Sequence, residues 1–222
     1  MHEDINKERR FIMAILDEIS EMLQKGKKKD VAALCTQALD EGIPAEDILN
    51  NGLLAGMDIV GAKFKANEIF VPQVLVAARA MNAGAEILKP HMSDGESSSK
   101  GKIVLGTVKG DLHDIGKNLV KMMFEGKGFE VIDVGVDVAP ETFIQTAIDN
   151  DAKIIGCSAL LTTTMPMLGE VVKTAEEMGV RDKVKIMVGG APVTQEFADS
   201  IGADAYTEDA TSAAEKALEF AS

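Results

Sequence analysis

The sequence predicts two domains, an all-α four-helix bundle followed by an α/β domain built on a parallel sheet. Apolar residues recur at helical spacing through residues 1–90, which indicates the bundle. Five short apolar strands alternate with five helical segments over residues 102–222, which indicates the α/β domain. Between them, residues 91–101 include a serine-rich polar run without apolar periodicity, and this composition predicts a linker.

The helices of the bundle follow from apolar spacing and from their start signals. Apolar residues mark one helix over 11–23 and a second over 31–39. A third helix begins near Pro44, a favourable residue for a first turn, and extends to about residue 64. The fourth covers 72–88. Short connections between amphipathic helices are typical of a small bundle.

The second domain alternates strands and helices without interruption. Because its strands are apolar along their length, we expect them to be parallel and covered by helices on both faces. A flavodoxin-like (Rossmann-like) sheet with strand order 2-1-3-4-5 fits this pattern best. The predicted strands cover 102–108, 129–134, 153–159, 184–188 and 204–206, and the helices cover 115–125, 141–149, 167–178, 194–201 and a last segment that ends at Phe220.

Composition and charge exclude several classes of protein. The chain has 222 residues and a formal net charge of −13, which disfavours nonspecific binding of nucleic acid. No apolar run approaches the length of a membrane span, and the polar N-terminus lacks the apolar core of a signal peptide. We therefore expect a cytoplasmic protein without a membrane partner. Cys35 and Cys157 lie in apolar patterns, which predicts two buried thiols and not a disulfide or a metal pair.

Unusual residues collect where such a sheet binds ligands, beyond the carboxyl ends of the strands at the switch between the first and third. Glycine there allows a bulky ligand to approach the backbone, although ordinary turns also use glycine. The candidate binding residues are Gly110, Asp111, Leu112, His113, Asp114, Ile115 and Gly116 after the first strand, Ser158, Leu160 and Thr162 after the third, and Gly189 and Gly190 after the fourth.

His113 is the residue best suited to chemistry at this edge. It is the only histidine outside the N-terminus and the linker, and neutral imidazole is the commonest protein ligand of transition metals. Such a ligand usually donates its other ring N–H to a carboxylate. Asp111 is the better candidate for that carboxylate, because Asp114 is placed to cap the next helix. The chain offers no second ligand, so a metal here needs a macrocycle; alternatively, His113 only forms hydrogen bonds.

Three spaced elements carry a family resemblance. The three elements are Asp111-x-His113-x-x-Gly116, Ser158-x-Leu160 and Gly189-Gly190. Forty-one residues separate the first element from the second, and twenty-eight separate the second from the third. These elements and spacings match the cobalamin-binding signature. The stretches 107–118 and 70–74 also resemble the cobalamin-binding module of methionine synthase. Because 222 residues leave no room for the other domains of that enzyme, the chain is most similar to the stand-alone corrinoid proteins of methyltransferase systems.

The resemblance implies a cobalamin or related corrinoid cofactor, with methylcobalamin as the form that carries the methyl group. His113 would be the lower axial ligand to cobalt, Asp111 would accept its hydrogen bond, and Ser158 would extend this relay. These three residues are the predicted catalytic set. Thr162 and the Gly189-Gly190 turn would line the cleft for the displaced nucleotide tail of the cofactor.

The resemblance also gives the helical domain a role as a movable cap on the cofactor. Phe64 and Val71 lie where the family places apolar side chains over the methyl face of the corrinoid. An equally good interpretation is that both residues belong to the ordinary core of the bundle.

The function implied is that of a methyl carrier. Co(I) would accept a methyl group from a substrate-specific methyltransferase, and methyl-Co(III) would pass it to an acceptor methyltransferase, with tetrahydrofolate or a thiol as acceptor. A reductive activating protein is a further expected partner, and the chain is not expected to turn over substrate alone. Two rivals remain: a B12-dependent sensor, and a receiver-like signalling domain without a cofactor, which would need an aspartate where Ser158 stands.

Overall fold

The computed structural model describes residues 2–92 and 99–222, with side chains from residue 12 onward. The chain divides into two compact units, Met1–Ser98 and Ser99–Ser222. Residues 93–98, which form most of the predicted linker over 91–101, lie outside the described residues.

The first unit is helical, as predicted. The third predicted helix is a continuous helical stretch with a π-helical segment in its middle. Among the described helices, none is both long and apolar enough to cross a membrane. The elements are α1 His2–Gln24, α2 Lys28–Asp40, α3 Ala45–Asp47, a π-helix Ile48–Leu54, α4 Ala55–Lys65, α5 Val71–Leu88 and a 3-10 turn Lys89–His91.

Apolar faces of these helices form the core of the helical unit. Helix α2 packs against both α1 and α5, and α1 also contacts the π-helix and α4. Helix α5 begins where Gln73 accepts a hydrogen bond from the Phe70 N–H at 3.0 Å, which satisfies a donor that the helix leaves free. The completely buried side chains include Ile19, Leu23, Val31, Cys35, Ile48, Leu53 and Leu88.

The second unit is a five-stranded parallel sheet with the predicted order, β2-β1-β3-β4-β5. Its connecting helices pack in two pairs, α6 with α10 and α7 with α8. The elements are β1 Lys102–Val108, α6 Ile115–Gly126, β2 Glu130–Val138, α7 Pro140–Asn150, β3 Ile154–Ser158, α8 Pro166–Glu177, a 3-10 turn Arg181–Lys183, β4 Lys185–Gly189, α9 Gln195–Ser200, β5 Ala205–Tyr206 and α10 Ala210–Ala221.

Strand β2 is longer than the sequence predicts. The expected strand ends at residue 134, whereas β2 continues to Val138. Its pairing with β1 shifts register twice, so that Gly106 faces Gly135 and Val108 faces Val138. Glycine and aspartate usually interrupt strands, but a β-bulge accommodates an extra residue and bends the strand. The extension brings Asp137 beside the loop that follows β1.

Both cysteines are buried and free, as predicted. Burial raises the pKa of the Cys35 thiol to about 12 and raises the pKa of Cys157 well above its usual range. Both side chains are therefore uncharged thiols at neutral pH and serve as small core residues.

Candidate cofactor site

The loop between β1 and α6, residues 109–114, is called the histidine loop here. Its second residue is Gly110, whose φ of 84° lies in the left-handed region that glycine adopts without steric cost. Asp111 is completely buried, whereas the His113 side chain is 50% exposed. Thr107, buried at the end of β1, donates from its hydroxyl to the His113 carbonyl at 2.9 Å. The loop therefore buries a carboxylate while it exposes an imidazole.

Asp111 and His113 form a direct pair. Nδ1 of His113 lies 2.7 Å from Oδ1 of Asp111, and the His113 backbone N–H donates to the same oxygen at 3.1 Å. An ionised carboxylate only accepts hydrogen bonds, so Nδ1 must carry the proton. In a neutral ring, Nε2 then keeps a free lone pair, and it is the nitrogen able to bind a metal.

The second oxygen of Asp111 binds residues that follow β3. Oδ2 accepts hydrogen bonds from the Leu160 N–H at 2.7 Å, the Leu161 N–H at 3.3 Å and the Thr164 hydroxyl at 2.7 Å. Burial opposes ionisation of Asp111, but these donors together with those of His113 outweigh it, and the pKa of Asp111 lies well below its usual range. The carboxylate is therefore charged at neutral pH, and it joins the ends of β1 and β3.

In the described structure, the hydroxyl that binds Asp111 is that of Thr164, and the relay through Ser158 stays a prediction. Ser158 is the last residue of β3, where it faces Thr107 on one side and Gly189 on the other. Thr164 lies in the turn before α8 and is buried, so the chain folds back to bring its hydroxyl to Asp111. Ser158 thus lies at the same edge of the sheet, and its side chain is not among the hydrogen-bond donors to Asp111.

Removing the Thr164 hydroxyl should therefore matter more than removing that of Ser158. Thr164→Val keeps the shape of the side chain but leaves Asp111 without one donor, and we expect it to lower the free energy of unfolding by about 1–2 kcal/mol. Ser158→Ala is the matched control and should cost less than about 0.5 kcal/mol. Urea unfolding of the cofactor-free protein at pH 7 measures both. Equal losses would contradict the role of Thr164.

Asp114 occupies the N-cap position of α6 but does not cap it through its side chain. Its carboxylate instead accepts a hydrogen bond from the Asn118 side chain at 3.1 Å. The φ of −125° and ψ of −13° differ from the extended backbone that most N-cap residues adopt, which explains the difference from the prediction.

A buried ion pair holds the start of α6. Lys117, only 4% exposed, donates to both oxygens of Asp133 in β2, at 2.6 and 2.7 Å. Burial opposes the charge on Asp133, but Lys117 and the Gly135 N–H outweigh it, so the pKa of Asp133 is lowered. Helix α6 is thereby fixed to β2 directly after the histidine loop.

The predicted turn after β4 is the closest backbone approach at this edge. Gly190 has a φ of 133°, and a Cβ built on it would lie 1.8 Å from the Ala159 carbonyl oxygen. Only glycine fits there, since that distance is far shorter than any normal contact. By contrast, a Cβ on Gly116 would meet nothing within 4 Å, and Thr162 is an exposed turn residue.

Several residues of the site were missing from the sequence prediction. Thr107 and Thr164 had a weak signal, namely hydroxyl side chains near the end of one apolar strand and in the segment that follows another. Asp137 bonds to the Gly110 N–H across 27 residues of sequence, so no local pattern indicates it. Lys117 follows the signature directly, but a lysine at that place normally suggests an exposed helix face.

The side chains at this site can supply one bond to a metal ion. The described residues contain no group of three or more His, Cys, Asp or Glu side chains that could hold a metal, so His113 provides a single nitrogen. Large apolar side chains are exposed next to it, which suits contact with a macrocycle. They are Leu112, Ile115, Leu160 and Leu161, exposed at 73%, 79%, 40% and 41%.

Comparison with known proteins decides which macrocycle this is. A family model described as a B12 binding domain matches residues 101–218, and a second model of the same description matches residues 15–89. This chain belongs to the B12-binding family. Its cofactor is accordingly a cobalamin-type corrinoid, as the resemblance implied, and the receiver-like alternative is disfavoured.

Relatives narrow the assignment to the corrinoid proteins of methyltransferase systems. The chain is 46% identical over 212 residues to a corrinoid protein from Desulfitobacterium hafniense (strain Y51), with 93% of this chain and 97% of that protein covered. It is 48% identical over 207 residues to the dimethylamine corrinoid protein of Methanosarcina barkeri, with 93% and 97% covered. The crystal structure of the methanol:cobalamin methyltransferase complex MtaBC from M. barkeri matches with a TM-score of 0.86 and 30% identity, over 94% of this chain and 80% of that chain.

Proposed function

We propose that this corrinoid protein carries a methyl group from a substrate-specific methyltransferase to an acceptor methyltransferase. The observation that supports the proposal is the Asp111–His113 pair, which presents one imidazole nitrogen at the carboxyl edge of the sheet. When bound, the corrinoid supplies the cobalt to which a methyl group can be attached and from which it can be removed. The acceptor, a folate or a thiol, and a reductive activating protein belong to the same proposal.

In this function, His113 would ligate the cobalt through Nε2, and Asp111 would orient the ring and raise its basicity. A carboxylate behind a metal-bound histidine commonly has both effects. Thr164 would keep Asp111 charged and fixed by its hydrogen bond at 2.7 Å. The hydrogen bond between the Asp111 carboxylate and the Nδ1 proton would then set how strongly Nε2 of His113 donates to the cobalt.

The helical unit would act as the cap of this carrier. Phe64 near the end of α4 and Val71 at the start of α5 are both half-buried within that unit, so each keeps part of its apolar surface accessible. Exposed apolar surface is what shielding of a reactive ligand would require. Their contact with the cofactor, like the contacts of Thr162 and Gly189, stays a prediction.

A reconstitution tests the carrier function. The corrinoid-loaded chain is mixed with a methyltransferase for a methylamine or methanol, an acceptor methyltransferase and a reducing system, and the visible spectrum is followed. We expect methyl transfer only when every component is present. His113→Ala should reduce the transfer rate by about 100-fold, because direct ligation is lost and outer-shell changes alone commonly cost about 10–100-fold.

The control variant is His91→Ala, since His91 lies in the 3-10 turn after α5, outside the α/β unit. It should transfer methyl groups at the wild-type rate. Multiple turnovers by this chain alone, or equal rates for the two histidine variants, would contradict the proposal.

A further inference from the structure

Asp137 of β2 forms two hydrogen bonds to the backbone of the histidine loop. Asp137 accepts a hydrogen bond from the Gly110 N–H through Oδ1 at 2.7 Å. The N–H of Asp137 in turn donates to the Asp111 carbonyl at 2.9 Å. The two bonds fix the backbone at the N–H of Gly110 and at the carbonyl of Asp111, the residue whose side chain binds His113.

The backbone of Asp137 is unusual in the same place. Its φ of 55° is in the left-handed region, and it lies in the bulged part of β2 between the pairs Gly106–Gly135 and Val108–Val138. Bulges beside active sites commonly redirect a side chain, and strained residues persist where the surrounding contacts fix them. Glycine would adopt this conformation at lower cost, so the bulge alone does not require an aspartate.

We propose that Asp137 is a positioning residue for His113, the proposed cobalt ligand. It fixes the 110–111 backbone so that Asp111 holds the His113 ring in one orientation before the cofactor binds. This inference rests on the proposed function, because it assigns Asp137 to the support of the proposed cobalt ligand. Asp137 acts through Asp111 and His113, and its carboxylate is bonded to the backbone and not to the imidazole.

Three variants distinguish the effect of the Asp137 carboxylate from the effect of its backbone conformation. Asp137→Gly keeps the left-handed conformation and removes the acceptor. Asp137→Asn keeps an acceptor oxygen and a residue type that tolerates positive φ. Asp151→Gly is the control, since Asp151 also has a positive φ, 54°, but lies at the C-terminal end of α7 on an exposed turn.

The first measurement is amide hydrogen exchange in the cofactor-free, full-length protein by NMR. The diagnostic amides are those of His113 and Leu160, because both donate to the Asp111 carboxylate and not to Asp137. We expect about tenfold faster exchange at both in Asp137→Gly, the effect of losing one hydrogen bond to a charged group. Asp137→Asn and Asp151→Gly should keep wild-type rates. Unchanged exchange in Asp137→Gly would overturn the proposal.

The second measurement is the nitrogen hyperfine pattern of the bound corrinoid in its Co(II) form. Asp137→Gly should give a mixture of ligated and unligated spectra, and Asp137→Asn should restore the single wild-type pattern. Loosened amides with an unmixed spectrum would also overturn the positioning role. If wild type itself shows no coupling that depends on His113, the ligand assignment in the proposed function fails, and the exchange rates still decide whether Asp137 holds the loop.

Discussion

Replacing Gly190 with alanine is expected to lower the free energy of unfolding of the α/β unit by more than about 3 kcal/mol. The new Cβ would lie 1.8 Å from the Ala159 carbonyl oxygen, and no side-chain rotation can relieve the clash, because the oxygen is a backbone atom and the backbone fixes the position of the Cβ. The φ of 133° adds the strain of a conformation that is nearly restricted to glycine. Relief would require β3 and β4 to separate at their carboxyl ends, where Ala159 donates to the Gly189 carbonyl at 3.1 Å.

Gly179→Ala measures the cost of the backbone conformation without the clash. Gly179 has a φ of 68°, and its Cβ would meet nothing within 4 Å, so about 1–2 kcal/mol is expected. Thermal and urea unfolding of the two variants, followed by circular dichroism, give the comparison. Similar losses for the two variants would show that the close approach at Gly190 has little energetic weight.

Asp111→Ala is the second substitution with a large expected effect, a loss of about 3–5 kcal/mol. Five donors converge on the carboxylate: the His113 ring and N–H, the Leu160 and Leu161 N–H groups and the Thr164 hydroxyl. Alanine would leave the buried Thr164 hydroxyl and the nearby amides without this acceptor. It would also free the His113 ring to change tautomer, so under the proposed ligation the loaded protein should lose the nitrogen coupling of its Co(II) spectrum.

Asp111→Asn keeps the size of the side chain and one acceptor oxygen, so about half of that loss is expected. Because asparagine carries no charge, the pH dependence of this variant shows how much of the stability depends on the charge of Asp111. Because the pKa of Asp111 is lower in the folded protein than in the unfolded chain, its charge stabilises the folded state above about pH 4, and this contribution is lost as the pH falls further.

Urea unfolding of the cofactor-free wild type and Asp111→Asn, from pH 7 to pH 2, tests this sign. The difference in stability should be constant above about pH 5 and shrink below about pH 4. A difference that grew on acidification would show that Asp111 is protonated in the native state.

The sequence was sufficient for the parts of the site that depend on neighbouring residues. Asp111 and His113 are two residues apart, so their pairing follows from one short loop. The sheet order could also be predicted, because apolar strands joined by helices leave few arrangements. These features need only local patterns and general rules of chain connection.

The sequence could not indicate which side chain a turn or a bulge brings to the site. Ser158 and Thr164 both carry a hydroxyl group in the stretch between the end of β3 and the start of α8. The turn before α8 brings the Thr164 hydroxyl to Asp111. Likewise, Gly135 and Asp137 resemble strand breakers, whereas β2 continues through both, with a register shift on each side of Gly135. The energies of such alternatives depend on partners distant in sequence, which periodicity does not register.

The irregular β2 also bears on how the protein behaves at high concentration. It is the outer strand of the sheet and, with nine residues, offers a long row of free backbone groups to which a strand from another molecule could add. The two register shifts bend β2 and interrupt that row. At the opposite border, β5 has only two residues. Both borders are thus poor templates for intermolecular pairing, and the bulge that directs Asp137 to the histidine loop contributes to this at the β2 border.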